Sequence, residues 1–167
     1  MLAFQVSTHL KKLSRKYPEI RRQFYPQKEK PKSAKESLVD PLLEEEFTPI
    51  KGLIHKYQNR VLVLLTMVCA SYCRFCTRQR TVSEIEKGMI YPKDLDNMVD
   101  YLRKHPGIKE VILSGGDPLV VPETLKLALK KFSSLPQIKV IRIGTRVPVS
   151  NPSLVKDDLL AAFKKVS

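Results

Sequence analysis

The chain has 167 residues, with 30 lysines and arginines against 17 acidic residues, a formal net charge of +13, and three cysteines. That length supports one domain with a real core. No apolar run approaches the roughly eighteen residues of a membrane span, no basic segment precedes a long apolar one as in a secretory signal, and three cysteines cannot make the paired framework of a small secreted domain, so the reading is a protein of the reducing cytoplasm without a membrane partner.

Residues 1–50 read as a basic leader and linker. Leu10, Leu13, Tyr17, Ile20 and Phe24 recur at spacings of three and four, the mark of an amphipathic helix, with Pro18 interrupting it. Lys11, Lys12, Arg15, Lys16, Arg21, Arg22, Lys28, Lys30, Lys32 and Lys35 face only Glu19, Glu29 and Glu36 there. Such a surface attracts nucleic acid or anionic ligands. No recognition-helix, zinc-finger or RNP signature accompanies it, so nucleic acid is not the expected partner and a solvated basic arm is the simplest reading. Pro26-Gln-Lys-Glu-Lys-Pro31-Lys-Ser reads as a linker, and Asp40-Pro-Leu-Leu-Glu-Glu-Glu as a turn with a short acidic helix.

From residue 51 onward the pattern becomes regular. Arg60-Val-Leu-Val-Leu-Leu-Thr66 is apolar on both faces, as a buried parallel strand should be. Tyr91-Pro opens a helix with Leu95, Met98, Val99 and Leu102 on one face, ended by Pro106-Gly107. Lys109-Glu-Val-Ile-Leu-Ser114 is a second strand, stopped by Gly115-Gly116-Asp117-Pro118. Glu123 to Phe132 is a second helix and Lys139-Val-Ile-Arg-Ile-Gly144 a third strand. Asn151-Pro-Ser153 predicts the cap of a third helix running to about Lys165, with Leu154, Leu159, Leu160 and Phe163 buried. Three strand–helix units imply a parallel α/β core over residues 51–167. In such folds ligands gather at the C-terminal ends of the strands. The cysteine loop, Gly-Gly-Asp-Pro and Gly144-Thr-Arg146 all fall there.

Cys69, Cys73 and Cys76 form a C-x3-C-x2-C pattern directly after the first of these strands. Three thiolates can hold a [4Fe–4S] cluster and leave one iron open to an external chelator. They can also contribute to a zinc site, which normally wants four ligands. His55 or His105 is then the candidate fourth, although neither has the short spacing of a zinc knuckle. Unligated cysteines are the third reading.

The run Cys73-Arg-Phe-Cys76 within this pattern resembles the radical S-adenosylmethionine (SAM) superfamily. Four ordered motifs resemble its lysine 2,3-aminomutase family: Gly52-Leu-Ile-His-Lys-Tyr57-Gln-Asn-Arg60-Val-Leu, Cys76-Thr-Arg-Gln-Arg80, Leu113-Ser-Gly-Gly-Asp-Pro-Leu119 and Arg142-Ile-Gly-Thr-Arg-Val-Pro148. The resemblance runs from about Asp40 onward. It implies a partial TIM-type barrel, of which this chain carries the first three strand–helix units. It also implies a [4Fe–4S] cluster on Cys69, Cys73 and Cys76, and SAM at Ser114, Gly115, Gly116 and Asp117. Arg78 is implied to hold a substrate carboxylate, and Lys56, Tyr57 and Arg60 the phosphate of pyridoxal 5′-phosphate (PLP). Lys56 stands where the family usually has arginine, which keeps the charge and loses the bidentate fork. Thr145 and Arg146 are placed near SAM or substrate.

The implied activity is that of an isomerase moving an amino group from C2 to C3 of an amino acid, by a radical generated from SAM with electrons from a donor such as flavodoxin or ferredoxin. His-Lys-Tyr leans instead toward the relative that isomerises a lysine of a translation elongation factor. The family's PLP lysine lies beyond this sequence, and Lys164 and Lys165 match no such motif. The expectation is therefore an N-terminal portion, working with a complementing C-terminal fragment or as a homo-oligomer. The readings from other classes are a zinc-stabilised basic RNA-binding module and an inactive truncated product.

Overall fold

A computed structural model describes residues 4–26, 40–82 and 88–166. Most of the linker expected at Pro26 to Ser33 lies outside the described residues. Among them, two helices come first, α1 (Thr8–Lys16) and α2 (Pro18–Phe24). Pro18 breaks the expected single helix into two, because a proline tolerates only the first turn. Ser7 caps α1, its hydroxyl accepting from the Leu10 N–H at 3.1 Å.

The sheet has four strands in the order β1 (Leu53–Tyr57), β2 (Arg60–Thr66), β3 (Glu110–Gly115) and β4 (Val140–Ile143). The last three are parallel, as the sequence predicts. β1 is an addition: it pairs antiparallel with β2 through the tight turn between Tyr57 and Arg60. Register places Val61 against Val111, Val63 against Leu113 and Leu113 against Ile143, so the three parallel strands end at one edge of the sheet.

Helices α3 (Pro92–Lys104) and α4 (Pro122–Ser133) cover one face. Asp94 accepts from the Tyr91 N–H at 2.9 Å and fixes the start of α3. Leu95, Met98 and Leu102 from α3 and Leu125, Ala128 and Phe132 from α4 are fully buried against Val61, Val63, Val111 and Leu113. The opposite face, with Leu62, Leu64, Ile112 and Ser114, is only half-buried. This open mixed α/β sheet is the architecture expected of part of a TIM-type barrel.

Two expectations change. Residues 41–47 form turns rather than an acidic helix, and the Asp40 carboxylate accepts from the Glu45 N–H at 3.0 Å, a local bond that competes with helical pairing. The last helix begins at Asp157, not at Asn151. Val147–Ser150 forms a one-turn helix, α5, Pro152–Leu154 a 3₁₀ turn, and α6 spans Asp157–Lys164. Val155 and Lys156 are extended, and two acidic residues occupy the first turn of α6, where the helix dipole favours them. That start leaves Leu159 buried and Leu160 41% exposed, instead of burying both. Replacing Phe132 by alanine is expected to cost about 3–5 kcal/mol; Leu160→Ala should cost under about 1 kcal/mol. Urea unfolding of the two variants checks the difference.

Candidate functional site

The exits of β2, β3 and β4 are locked together by backbone and by one carboxylate. The Gly116 N–H donates to the Thr66 carbonyl at 2.6 Å and the Asp117 N–H to the Val68 carbonyl at 2.8 Å. Approach this close requires glycine: a Cβ on Gly115, whose φ is +114°, would lie 2.3 Å from the Thr66 oxygen, and one on Gly116 2.3 Å from the Val68 oxygen. Asp117 is 4% exposed. Its Oδ1 accepts from the Leu119 N–H (3.1 Å) and the Thr145 hydroxyl (2.7 Å), and its Oδ2 from the N–H groups of Arg146 (2.7 Å) and Val147 (3.1 Å). A carboxylate has about four acceptor positions, so the chain itself fills them.

The cysteine loop leaves β2 directly above this knot. A cavity of about 450 Å³ is lined by Cys69, Cys73, Cys76, Arg78, Ser114, Gly115, Gly116, Asp117, Thr145 and Arg146, together with Phe24, Phe75 and others. Every residue expected to touch the cluster or SAM therefore borders a single space. The three thiols are free and half-buried. Burial pushes the Cys69 thiol up to about 12, with Asp117 and the other two cysteines adding to the effect and Arg146 opposing it. Cys73 is raised too, chiefly by burial, and Arg146 pulls it back down. Nη1 of Arg146 donates to Sγ of Cys73, Nη2 to Oε1 of Gln23 at 2.9 Å, and the guanidinium lies 5.0 Å from the rings of both Phe24 and Phe75.

The leader is part of this construction. Gln5 donates through Nε2 to the Cys69 carbonyl (2.9 Å) and accepts at its own carbonyl from the Tyr72 N–H (2.9 Å). The Ser7 N–H donates to the Ser71 hydroxyl, and the Arg74 N–H to the Gln23 carbonyl, each at 2.9 Å. Val6, Leu10 and Phe24 form a small core of their own, against which Cys73 packs. Among the described residues, Lys11, Lys12, Arg15, Lys16, Arg21 and Arg22 are exposed, but the apolar side of the α1–α2 hairpin seats the cysteine loop.

A second cavity, about 250 Å³, is lined by Lys56, Tyr57, Arg60, Leu62, Ile112, Glu44 and Arg78, among others. Lys56, Tyr57 and Arg60 are exposed. Lys56 donates to the Leu42 carbonyl at 3.1 Å, and Arg60 stands over the Tyr57 ring with Glu110 at 3.8 Å. Arg78 borders both cavities. Its Nε and Nη2 are gripped bidentately by Glu44 at 2.8 and 2.5 Å, while Arg80 pairs with Asp40 at 3.1 Å and with Glu45. The acidic turn thus holds the arginines that follow Cys76.

The histidines considered as zinc ligands are elsewhere. Nδ1 of His55 bonds the Tyr101 hydroxyl at 2.8 Å and Nδ1 of His105 the Tyr101 carbonyl at 2.7 Å, and neither lines the cysteine cavity. Among the described residues no group of three histidine, cysteine or acidic side chains converges on a point where a single metal ion would sit. A cubane binds its three thiolates on three different irons, so it requires no such convergence. Also among the described residues, no helix is long and apolar enough to cross a membrane.

Residues 63–167 match the model of the radical SAM superfamily. The chain belongs to this superfamily. The chain is also similar to curated relatives: the L-lysine 2,3-aminomutase of Bacillus subtilis (strain 168) is 42% identical over 147 residues, covering 87% of the chain and 31% of that protein. That of Clostridium subterminale is 38% identical over 147 residues, 87% of the chain and 35% of that protein. That of Escherichia coli (strain K12) is 35% identical over 128 residues, 76% of the chain and 36% of that protein. The chain spans about a third of the length of these relatives.

Three features of the site escaped the sequence: the leader seated on the cysteine loop, the Arg146–Cys73 contact and the Glu44 clamp on Arg78. Each joins residues 34 or more positions apart, with no local pattern to mark it. Asp117→Ala would orphan the N–H groups of Leu119 and Arg146 and the Thr145 hydroxyl, while the Val147 N–H keeps its bond to the Thr145 oxygen at 3.0 Å, and is expected to cost about 3 kcal/mol. Thr145→Val removes one donor to an oxygen that keeps another and should cost about 1 kcal/mol. The denaturation midpoints of both variants, at unchanged urea m-value, are the measurement.

Proposed function

We propose that this chain supplies the cluster- and SAM-binding part of a radical isomerase of the lysine 2,3-aminomutase type. The supporting observation is the single cavity bordered by all three cysteines, the Ser114–Gly116 turn and Arg78. The donor set fits: three thiols on one loop match a cluster with one open iron, and the glycine turn borders the same cavity without a side chain of its own where an amino-acid-like ligand would lie. In this reading Cys69, Cys73 and Cys76 hold a [4Fe–4S] cluster, and Ser114, Gly115, Gly116 and Asp117 border SAM. Bound together, cluster and SAM supply one-electron cleavage of a sulfonium.

The remaining residues bind and orient. Asp117 keeps the strand exits in place and puts negative charge in the wall beside an ammonium. Arg146 sets a cation against Cys73. Arg78 offers its free guanidinium edge to a carboxylate, and Lys56, Tyr57 and Arg60 present two cations and a phenol to a phosphate dianion such as that of PLP. Because Arg78 borders both cavities, a carboxylate it holds sits between the SAM side and the phosphate side, as transfer within one amino acid demands. Lys164 and Lys165, at the end of α6, line neither cavity. The leader of residues 1–50 and the core of residues 51–167 then form one site. The wider activity draws on an electron donor in a reducing cytoplasm, an amino acid substrate and a complementing C-terminal portion.

Anaerobic reconstitution of the chain with iron and sulfide is expected to load about four irons per chain and to give a reduced EPR signal that changes when SAM is added. Cys73→Ser should remove most of the iron. A chain that takes up no iron, or a reduced signal indifferent to SAM, defeats the reading.

A further inference from the structure

We propose that the outer face of the α1–α2 hairpin is the docking surface for an acidic one-electron donor protein that reduces the cluster. The proposal rests on the cluster reading above and adds the place where electrons enter.

The hairpin has two chemically different sides. Its inner side holds the cysteine loop through Gln5, Ser7 and Gln23, and Phe24 borders the cavity itself. Its outer side exposes Lys11, Lys12, Arg15, Lys16, Arg21 and Arg22. Glu19 is the only acidic residue between positions 4 and 26, and it pairs loosely with Arg22 at 3.5 Å. Among the described residues Lys11, Lys12 and Arg15 have no acidic partner.

A structural cover needs none of these cations. Lys11 even lies at the end of the first turn of α1, where the helix dipole disfavours positive charge. Unpaired cations on one face are costly to keep together and useful for attracting an oppositely charged surface. Such attraction raises association rates by about 10–1,000-fold at low salt. A helix with its side chains is about 10–12 Å across, so a protein seated on this face remains within one helix of the cysteines. Electron transfer falls steeply with distance, which gives that position a meaning that nucleic-acid binding would not explain.

The test uses the full chain, loaded anaerobically and mixed with reduced flavodoxin in a stopped-flow instrument; photoreduced deazaflavin serves as a small-molecule control. Lys12→Glu combined with Arg15→Glu is expected to lower the flavodoxin rate constant at low salt about tenfold or more, while leaving iron content and the deazaflavin rate unchanged. In the wild-type chain, raising ionic strength is expected to slow flavodoxin steeply and deazaflavin little, a readout independent of how the variant folds. Equal flavodoxin rates in both chains, or a salt-independent wild-type rate, overturn the docking surface and leave the cluster reading standing. A mixed-sequence RNA that binds the wild type, is released by the double variant and leaves flavodoxin reduction unaffected also overturns it. A chain that loads no iron defeats the cluster reading and the docking surface together.

Discussion

One buried carboxylate holds the functional end of this sheet in place. Asp117 reaches back to the exit of β2 through its backbone N–H and across to the exit of β4 through both side-chain oxygens. Burying a carboxylate costs several kcal/mol unless its hydrogen bonds are replaced. Here four donors replace them, three of them backbone N–H groups whose positions are set by the strands. A side chain with fewer acceptor positions would release at least one exit, and apart from Phe24 of α2 and Ser150 of α5 the residues bordering the larger cavity hang from one of these exits or from the loop above them.

The cysteine loop is the complement of that knot. It has no regular secondary structure of its own, so its shape comes from what it leans on: the glycine turn below, Arg146 at the side and the α1–α2 hairpin above. Burial raises the thiols of Cys69 and Cys73 and so favours their neutral form. Holding the loop there desolvates sulfur, and the Arg146 guanidinium opposes that effect at both thiols. Glu44 meets Arg78 from the other direction, fixing one edge of the guanidinium and leaving the other edge available.

Local patterning made much of this legible in the sequence. The apolar run Val61 to Leu65, the 3–4 spacing of Leu95, Met98, Val99 and Leu102, and the glycines after Ser114 each announce an element or an exit. β1 did not announce itself, because Leu53–Tyr57 is short and His55, Lys56 and Tyr57 are polar enough to read as a binding patch; pairing with β2 makes it a strand. The start of α6 was misplaced because Asn151-Pro resembles a helix cap, while the 3₁₀ turn and the extended Val155 delay the helix to Asp157. The contacts of Arg146 with Cys73 and of Glu44 with Arg78 stayed illegible for a different reason. An ion pair or an N–H···S contact between distant segments leaves no period in the sequence, and only the closed fold supplies the partner.

The two faces of the sheet explain why the two cavities open where they do. Side chains alternate along a strand, so Val61, Val63, Val111 and Leu113 are spent on α3 and α4 and reach no exposed surface. Leu62 and Ile112, on the other parity, form the floor of the smaller cavity, and Ser114 that of the larger. A one-residue slip in β2 or β3 would exchange these sets and bury the ligand side against the helices. Register is therefore a functional constraint as well as a structural one. It is enforced at its most demanding point by Gly115 and Gly116, where β2 and β3 lose step between Leu64 and Thr66 and only a residue without a Cβ fits beneath the cysteines.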